Sequence, residues 1–474
     1  MTGAPGTIER PLRVAIIGAG PTGFYAADQL FRQDNLVVEV DMFDRVPMPF
    51  GLVRSGVAPD HQKIKSVTAA FDKIAGHPRF RFYGCVELGK HLTVEDLRAH
   101  YHQIFYATGA QTDRRMGIPG EDLKGSHPAT EFVAWYNGHP DYQDHQFDLG
   151  VERAAVVGVG NVAIDVARIL CRTPEELAKT DISEQALEAL SRSRIEEVYL
   201  LGRRGPAQAA FTNPEIKELG EMAGADVVVD PREAELDPLS RAALAQTGDR
   251  ATTKKVEILS SYAGKAPTGK PRRLTIRFLV SPVELVGNDA GEVTGIKLVK
   301  NELYETPTGT LQPRATDETE ILPVGLVFRS VGYKGVPLPG VPFNDKWAVI
   351  LNEKGRVLDL ETRQPVRGEY TAGWIKRGPS GVIGTNKPDA VETVACMLED
   401  LANGAVMEPS APTAEAADAL VRARQPQCLS YDDWRHLDAL EIERGRAAGR
   451  PRVKLTRLKD IQAALEERGG AGNR

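Results

Sequence analysis

Leu12-Arg13-Val14-Ala15-Ile16-Ile17 runs directly into Gly18-Ala19-Gly20-Pro21-Thr22-Gly23, and this stretch decides the fold. An apolar run of that length, bounded by glycines, reads as a buried parallel strand, and residues 24–32 behind it read as a helix. A second β-rich run, residues 37–43, ends in Asp44. The acid stands roughly 20 residues beyond the glycines, where a dinucleotide-binding βαβ unit needs a carboxylate for a ribose hydroxyl. Gly18 permits the tight turn, Gly20 lets a pyrophosphate approach the backbone, and Gly23 lets the helix lie close to the strand. The helix N-terminus supplies free N–H groups and partial positive charge.

The pattern returns. Residues 154–157 form a short apolar strand, followed by Gly158-Val159-Gly160-Asn161-Val162-Ala163 and a helix through Leu170. The next strand, Glu197–Leu201, leads into Gly202-Arg203-Arg204, and residues 173–194 between them read as a polar, helix-prone insertion. An NAD site would place an acid after that strand; Arg203 and Arg204 instead suit a 2′-phosphate through charge-assisted bonds, so the expected cofactor is NADP(H). Two nucleotide sites imply electron traffic between them. A flavin accepts a hydride and passes electrons on singly, so the first site is expected to hold FAD and the chain to be a flavoprotein reductase.

Each unit closes with a similar strand, residues 104–109 and residues 326–332, and turn-rich stretches at 116–120 and 335–342 read as linkers. The expected architecture is α/β, with two Rossmann-like dinucleotide-binding domains, the NADP domain inserted in the FAD domain. The boundaries are 1–113 and 334–474 for FAD, and 114–333 for NADP. Behind Gly381, the apolar positions Ala390, Val391, Val394, Ala395 and Leu398 predict an amphipathic helix. From about residue 411 the chain is rich in Ala, Glu and Arg. Its basic residues Arg444, Arg446, Arg450, Arg452, Lys454, Arg457 and Lys459 read as a solvated face.

The composition narrows the class. With 474 residues, 42% of them hydrophobic and 26% charged, the chain can bury large cores, which excludes global disorder. A formal charge of -6 argues against a surface built for nucleic acid. The four cysteines, Cys85, Cys171, Cys396 and Cys428, are too far apart in sequence for a dithiol centre, a zinc ribbon or an iron–sulfur cluster, so no metal is expected. Reduced thiols and the absence of a signal-like or 18-residue apolar run point to a soluble cytoplasmic protein with no membrane insertion.

Four segments carry a family resemblance. They are Gly18 to Gly23; Pro49-Phe50-Gly51-Leu52-Val53-Arg54-Ser55-Gly56-Val57-Ala58-Pro59-Asp60-His61; Gly202-Arg203-Arg204-Gly205-Pro206; and Trp374-Ile375-Lys376-Arg377-Gly378-Pro379-Ser380-Gly381-Val382-Ile383-Gly384-Thr385-Asn386. Together they resemble adrenodoxin reductase and the FprA-type ferredoxin–NADP reductases over nearly the whole chain. The resemblance implies FAD contacts at Thr22, Asp44, Leu52, Leu88, Trp374, Gly381, Val382 and Ile383. It implies NADP contacts at Arg114, Val159, Gly160, Asn161, Val162, Arg203, Arg204, Glu215 and Gly381. It also places His61 and Glu218 near the nicotinamide–flavin junction, where they would relay a proton or orient the nicotinamide. Asp44 stands where many members have Glu, and Asn213-Pro214 precedes Glu215 where some have Thr-Leu.

The implied activity is hydride transfer from NADPH to FAD and single-electron delivery to a ferredoxin or similar acidic iron–sulfur protein. The alternative is an electron-transfer module of a larger complex, like the glutamate-synthase small subunit, whose Cys-rich ligands are absent here. A disulfide reductase of the glutathione-reductase type is rejected by the cysteine spacing. Docking of an acidic partner would use local basic residues on the second domain or in the basic tail, for instance Arg192, Arg194, Arg272 and Arg273.

Overall fold

In the computed structural model, which describes residues 5–471, the stretch Leu12–Ile17 is a fully buried strand. It lies inside a seven-stranded sheet of order Asn352–Glu353, Arg356–Leu358, Pro365–Thr371, Gln103–Tyr106, Leu12–Ile17, Val38–Phe43, Phe80–Tyr83. The last five of these run parallel, and Val14 pairs with Val40 on one side and Gln103 on the other. The chain therefore comes back after residue 350 to add strands beside Gln103–Tyr106. The expected outer limits at residues 1 and 474 lie outside the described residues.

A second sheet, of order Ser126–Pro128, Leu326–Arg329, Arg153–Val157, Glu197–Leu201, Arg272–Arg277, Ala225–Val229, is parallel throughout. All its strands fall between the two parts of the first sheet. Both sheets are covered on both faces, as parallel sheets require. In the first, Phe24 stacks on Phe71 (centroids 4.9 Å apart) on one face, while Tyr101, Ile104 and Ile375 fill the other. The fold is thus α/β with two dinucleotide-binding units.

Some expectations shift. The first glycine helix is Pro21–Phe31, beginning at the proline because that position needs no N–H donor. The helix behind Gly381 is Asn386–Ala402, and its buried stripe is Ala390, Thr393, Val394, Met397 and Leu401; Val391 and Ala395 face outward. An antiparallel three-stranded sheet, Val280–Gly287, Val293–Glu305 and Leu311–Leu322, went unforeseen. Its inner residues Leu285, Ile296 and Leu298 cover Ala155, Val157 and Val327 where a crossover helix would otherwise lie.

The basic tail is not simply a solvated face. Glu441 on the helix Tyr431–Ala447 is 1% exposed and takes Arg54 in a two-pronged ion pair, at 2.6 and 2.9 Å. Buried Arg450 donates to the carbonyls of Thr180 and Ile182, and Lys454 donates to that of Asn137 (3.1 Å). Basic residues close in sequence show no partners because those partners lie far back in the chain.

Candidate functional site

Each glycine motif builds a cradle with closed walls and one open position. At Gly18 (φ +109°) a Cβ would fall 2.4 Å from the Ala107 carbonyl oxygen, and at Gly23 it would fall 2.4 Å from that of Gly18. At Gly20 a Cβ would meet nothing within 4 Å. The second motif repeats this arrangement: at Gly158 (φ +132°) a Cβ would reach the Ser330 carbonyl at 2.2 Å, whereas Gly160 opens onto free space. The closed glycines let strand, loop and helix meet. The open ones leave room, in front of a helix N-terminus, for a phosphate group.

In the first cradle Asp44 is pinned, one oxygen accepting from the Ala19 N–H (2.8 Å) and the other from Val46 N–H (3.1 Å). Burial raises its pKa, and those two N–H groups oppose the rise. A lone-pair direction on each oxygen is left for a ribose hydroxyl. Thr22 is buried against Gly373, where an added Cβ would stand 2.5 Å from the Thr22 hydroxyl. This contact joins the first motif to the Trp374 segment. The Trp374 indole donates to the Ser380 carbonyl (3.1 Å), and its ring is tilted 50° to that of Tyr333 at 5.4 Å. Asp389, absent from the expected set, accepts from Gly373 N–H (2.6 Å) and pairs with Lys376 and Arg377. Gly381 (φ +80°) and Val382 are exposed, Ile383 is half-buried, and Leu52 is 37% exposed. The Leu88 side chain lies in the core; only its backbone is left to face a cofactor. These residues fit FAD by the open Gly20 position and the pinned carboxylate.

In the second cradle Val159 packs against Gly202 and gives its carbonyl to Ala210 and Phe211 N–H, while Asn161 accepts from Thr212 N–H (2.9 Å). Val162 lies at the edge of the core. Arg203 follows Gly202 directly. Among the described residues the side chains of Arg114, Arg203 and Arg204 have no carboxylate partner. Burial lowers the pKa of Arg204, and the charge of Arg203 adds to this. Adjacent uncompensated guanidinium groups beside an open phosphate cradle fit a 2′-phosphate.

Where the loop 59–61 meets the second unit, His61 Nε2 is 2.8 Å from Glu218 Oε2 and 3.7 Å from Glu215 Oε2. Both acids lie on the helix Asn213–Leu219. The three could in principle hold a cation, since their ligand atoms lie within 4.8 Å of one another. However, the Arg168 guanidinium stands 3.4 Å from Glu215 and 3.9 Å from Glu218 and already supplies the positive charge. Asp60, Asp165 and Arg168 were missed from sequence. Burial would raise the Asp60 pKa, but the neighbouring Arg168, its hydrogen bonds and Arg172 hold it well below the usual carboxylate range. Burial raises Asp165 despite Arg168; burial and then Asp165 raise Glu215. A signal existed: Asp165 and Arg168 interrupt an otherwise apolar helix at a spacing that puts both on one face.

Of the suggested docking residues, Arg192 pairs with Glu188 and Arg273 with Glu197, and Arg272 donates to the Ile195 and Arg172 carbonyls. Arg194 is exposed. The four cysteines are free, and burial pushes the Cys85 and Cys171 thiols up to about 12, which leaves them unreactive. No helix of the described residues is long and apolar enough to cross a membrane.

A family model described as pyridine nucleotide-disulphide oxidoreductase matches residues 12–218. The chain is 46% identical over 461 residues to the NADPH-ferredoxin reductase FprA of Mycobacterium tuberculosis, covering 95% of this chain and 98% of the relative. It is 41% identical over 468 residues to the mitochondrial NADPH:adrenodoxin oxidoreductase of Arabidopsis thaliana, covering 96% of each. The solved structure of Mycobacterium tuberculosis FprA in complex with NADPH superposes with a TM-score of 0.90 at 44% identity, covering 96% of this chain and 100% of that one.

Proposed function

Because the chain belongs to the family of FprA-type and adrenodoxin-type NADPH–ferredoxin reductases, we propose that its two cradles hold the two cofactors at the residues named above, with His61 and Glu218 at their junction. The protein is an oxidoreductase that binds FAD and NADP(H) and delivers electrons from NADPH to a ferredoxin. When bound, the flavin supplies the conversion of a two-electron hydride into single electrons.

This chain's residues do the rest. Gly20 and Gly160 leave backbone N–H groups clear for phosphates, Asp44 orients a ribose, and Trp374 flanks the ring system from the segment locked by Asp389. Arg203 and Arg204, with Arg114, select the 2′-phosphate. His61 Nε2 donates to the Glu218 carboxylate, and the pair holds a proton at that nitrogen for exchange at the junction. Residues 1–113 and 334–474 form the FAD-binding domain, and residues 114–333 the NADP-binding domain. The partner is an acidic ferredoxin or similar iron–sulfur protein met by a local basic surface that includes Arg194, and the reaction takes place in the cytoplasm.

The observation that carries this reading is the adjacent pair Arg203 and Arg204, which follows Gly202 where it packs on Val159 of the open Gly160 cradle and which has no carboxylate partner among the described residues. Anaerobic titration of the FAD-loaded protein tests it: bleaching of the flavin by NADPH at concentrations where NADH leaves it oxidised is expected, and equal bleaching by both would refute it.

A further inference from the structure

Arg168 sits two turns into the helix Asn161–Cys171 that starts at the second glycine cradle, and it is 0% exposed. Every nitrogen of its guanidinium group is committed. Nε donates to Asp60 Oδ2 (2.7 Å); one terminal nitrogen reaches Asp60 Oδ1 (3.1 Å) and Asp165 Oδ1 (2.7 Å). The other lies 3.4 Å from Glu215 Oε2 and 3.9 Å from Glu218 Oε2. Asp60 immediately precedes His61 in the chain, and Arg172, just past the end of that helix, holds it as well (2.8 Å).

Three separate chain segments therefore meet on one side chain. The loop 59–61 belongs to the unit of the seven-stranded sheet. The helices Asn161–Cys171 and Asn213–Leu219 belong to the unit of the six-stranded sheet. The contact between His61 and the two glutamates crosses the same boundary, and its geometry depends on how the loop is seated against those helices.

Resting on the site reading above, we propose that Arg168 is the positioning residue of the junction. Its planar fork sets where His61 stands relative to Glu215 and Glu218, and so how the nicotinamide side is registered against the flavin side. A simple interdomain ion pair would need one carboxylate, whereas Arg168 engages four across three segments. Only a guanidinium offers five donors in a fixed plane; a lysine in its place keeps the charge but reaches fewer of these oxygens. A buried ion pair adds little net stability compared with apolar packing, so holding a geometry is the better account of the cluster.

The test compares Arg168→Lys, Asp60→Asn and His61→Gln in the FAD-loaded protein, by stopped-flow flavin reduction over a range of NADPH concentrations. The long-wavelength charge-transfer absorbance of the NADPH complex is recorded alongside. For Arg168→Lys the limiting reduction rate should fall by up to about 10²-fold, as expected for a sub-ångström to 1 Å misplacement. The apparent Kd for NADPH should stay within about threefold, FAD should be retained, and the charge-transfer band should weaken. Asp60→Asn, nearly isosteric, should move rate and band in the same direction by less, and it decides the matter if the lysine variant does not fold. If His61→Gln slows reduction while the Asp60 and Arg168 variants reduce at the wild-type rate with an unchanged band, the inference is overturned and the site reading stands. If all three behave as wild type, the site reading itself fails.

Discussion

The Nε2 atom of His61 lies 2.8 Å from a carboxylate oxygen of Glu218, a residue 157 positions later in the chain and built onto the other sheet's unit. The His61 side chain is largely covered, at 10% exposed, while that of Glu218 is 38% exposed. Glu218→Gln keeps the shape but replaces the carboxylate that accepts from His61 with an amide, a weaker acceptor for that N–H. The limiting flavin-reduction rate of this variant should fall, with FAD retained and the apparent Kd for NADPH little changed. A limiting rate equal to the wild type's would leave the pair only a structural part.

Gly20 and Gly18 should respond oppositely to substitution. Gly20→Val places its side chain in open space, so the protein should fold, with an unchanged far-ultraviolet spectrum, yet purify colourless and fail to take up FAD. Gly18→Ala meets the Ala107 carbonyl at 2.4 Å and is strained by its φ of +109°, so it should lower folding yield and thermal stability. Tight FAD binding by Gly20→Val would count against the assigned cradle.

Replacing Arg203 and Arg204 together with Ala should raise the KM for NADPH steeply, since each charge-assisted bond is worth roughly 1.5–3 kcal/mol. Turnover with NADH should change little. Steady-state kinetics with both nucleotides and an artificial dye read this directly; an unaltered ratio of the two kcat/KM values places the 2′-phosphate elsewhere.

Stability should depend on pH through buried imidazoles. His102 is 0% exposed and its Nδ1 accepts from Arg13 N–H (3.0 Å), so a second proton would break that bond. Burial, with the charges of Arg10 and Arg13, lowers its pKa to about 4. The unfolded chain takes the proton near 6.5, so stability present above about pH 6.5 is lost as pH falls toward 4, by up to about 3 kcal/mol. His127 and His139 are also lowered to about 4, chiefly by burial, and add to the loss. The urea midpoint should therefore drop between pH 7.5 and 5, and His102→Asn, whose amide oxygen replaces Nδ1, should flatten part of that drop.

The two dinucleotide units were legible because each glycine does a local job: strand, turn and helix follow one another within some 20 residues. That Arg203 and Arg204 stand side by side just past the second unit's strand Glu197–Leu201 was legible for the same reason. The meander Val280–Gly287, Val293–Glu305 and Leu311–Leu322 was not, because its half-exposed strands carry only a weak alternation. Asp60, Asp165 and Arg168 become one ion-pair cluster only when segments about a hundred residues apart are brought together. The basic tail misled in the same way: Arg450 and Lys454 look solvated until Thr180 and Asn137 fold against them.

Electrons pass from NADPH through this chain to a ferredoxin. This transfer is tested most directly by following cytochrome c reduction by the FAD-loaded protein with NADPH or NADH, with and without added ferredoxin. A rate that rises and saturates with ferredoxin under NADPH, and stays low with NADH, is the predicted result. Flavin reduced by NADPH with no ferredoxin-dependent rate for any ferredoxin supplied, or equal rates from NADH, would contradict it.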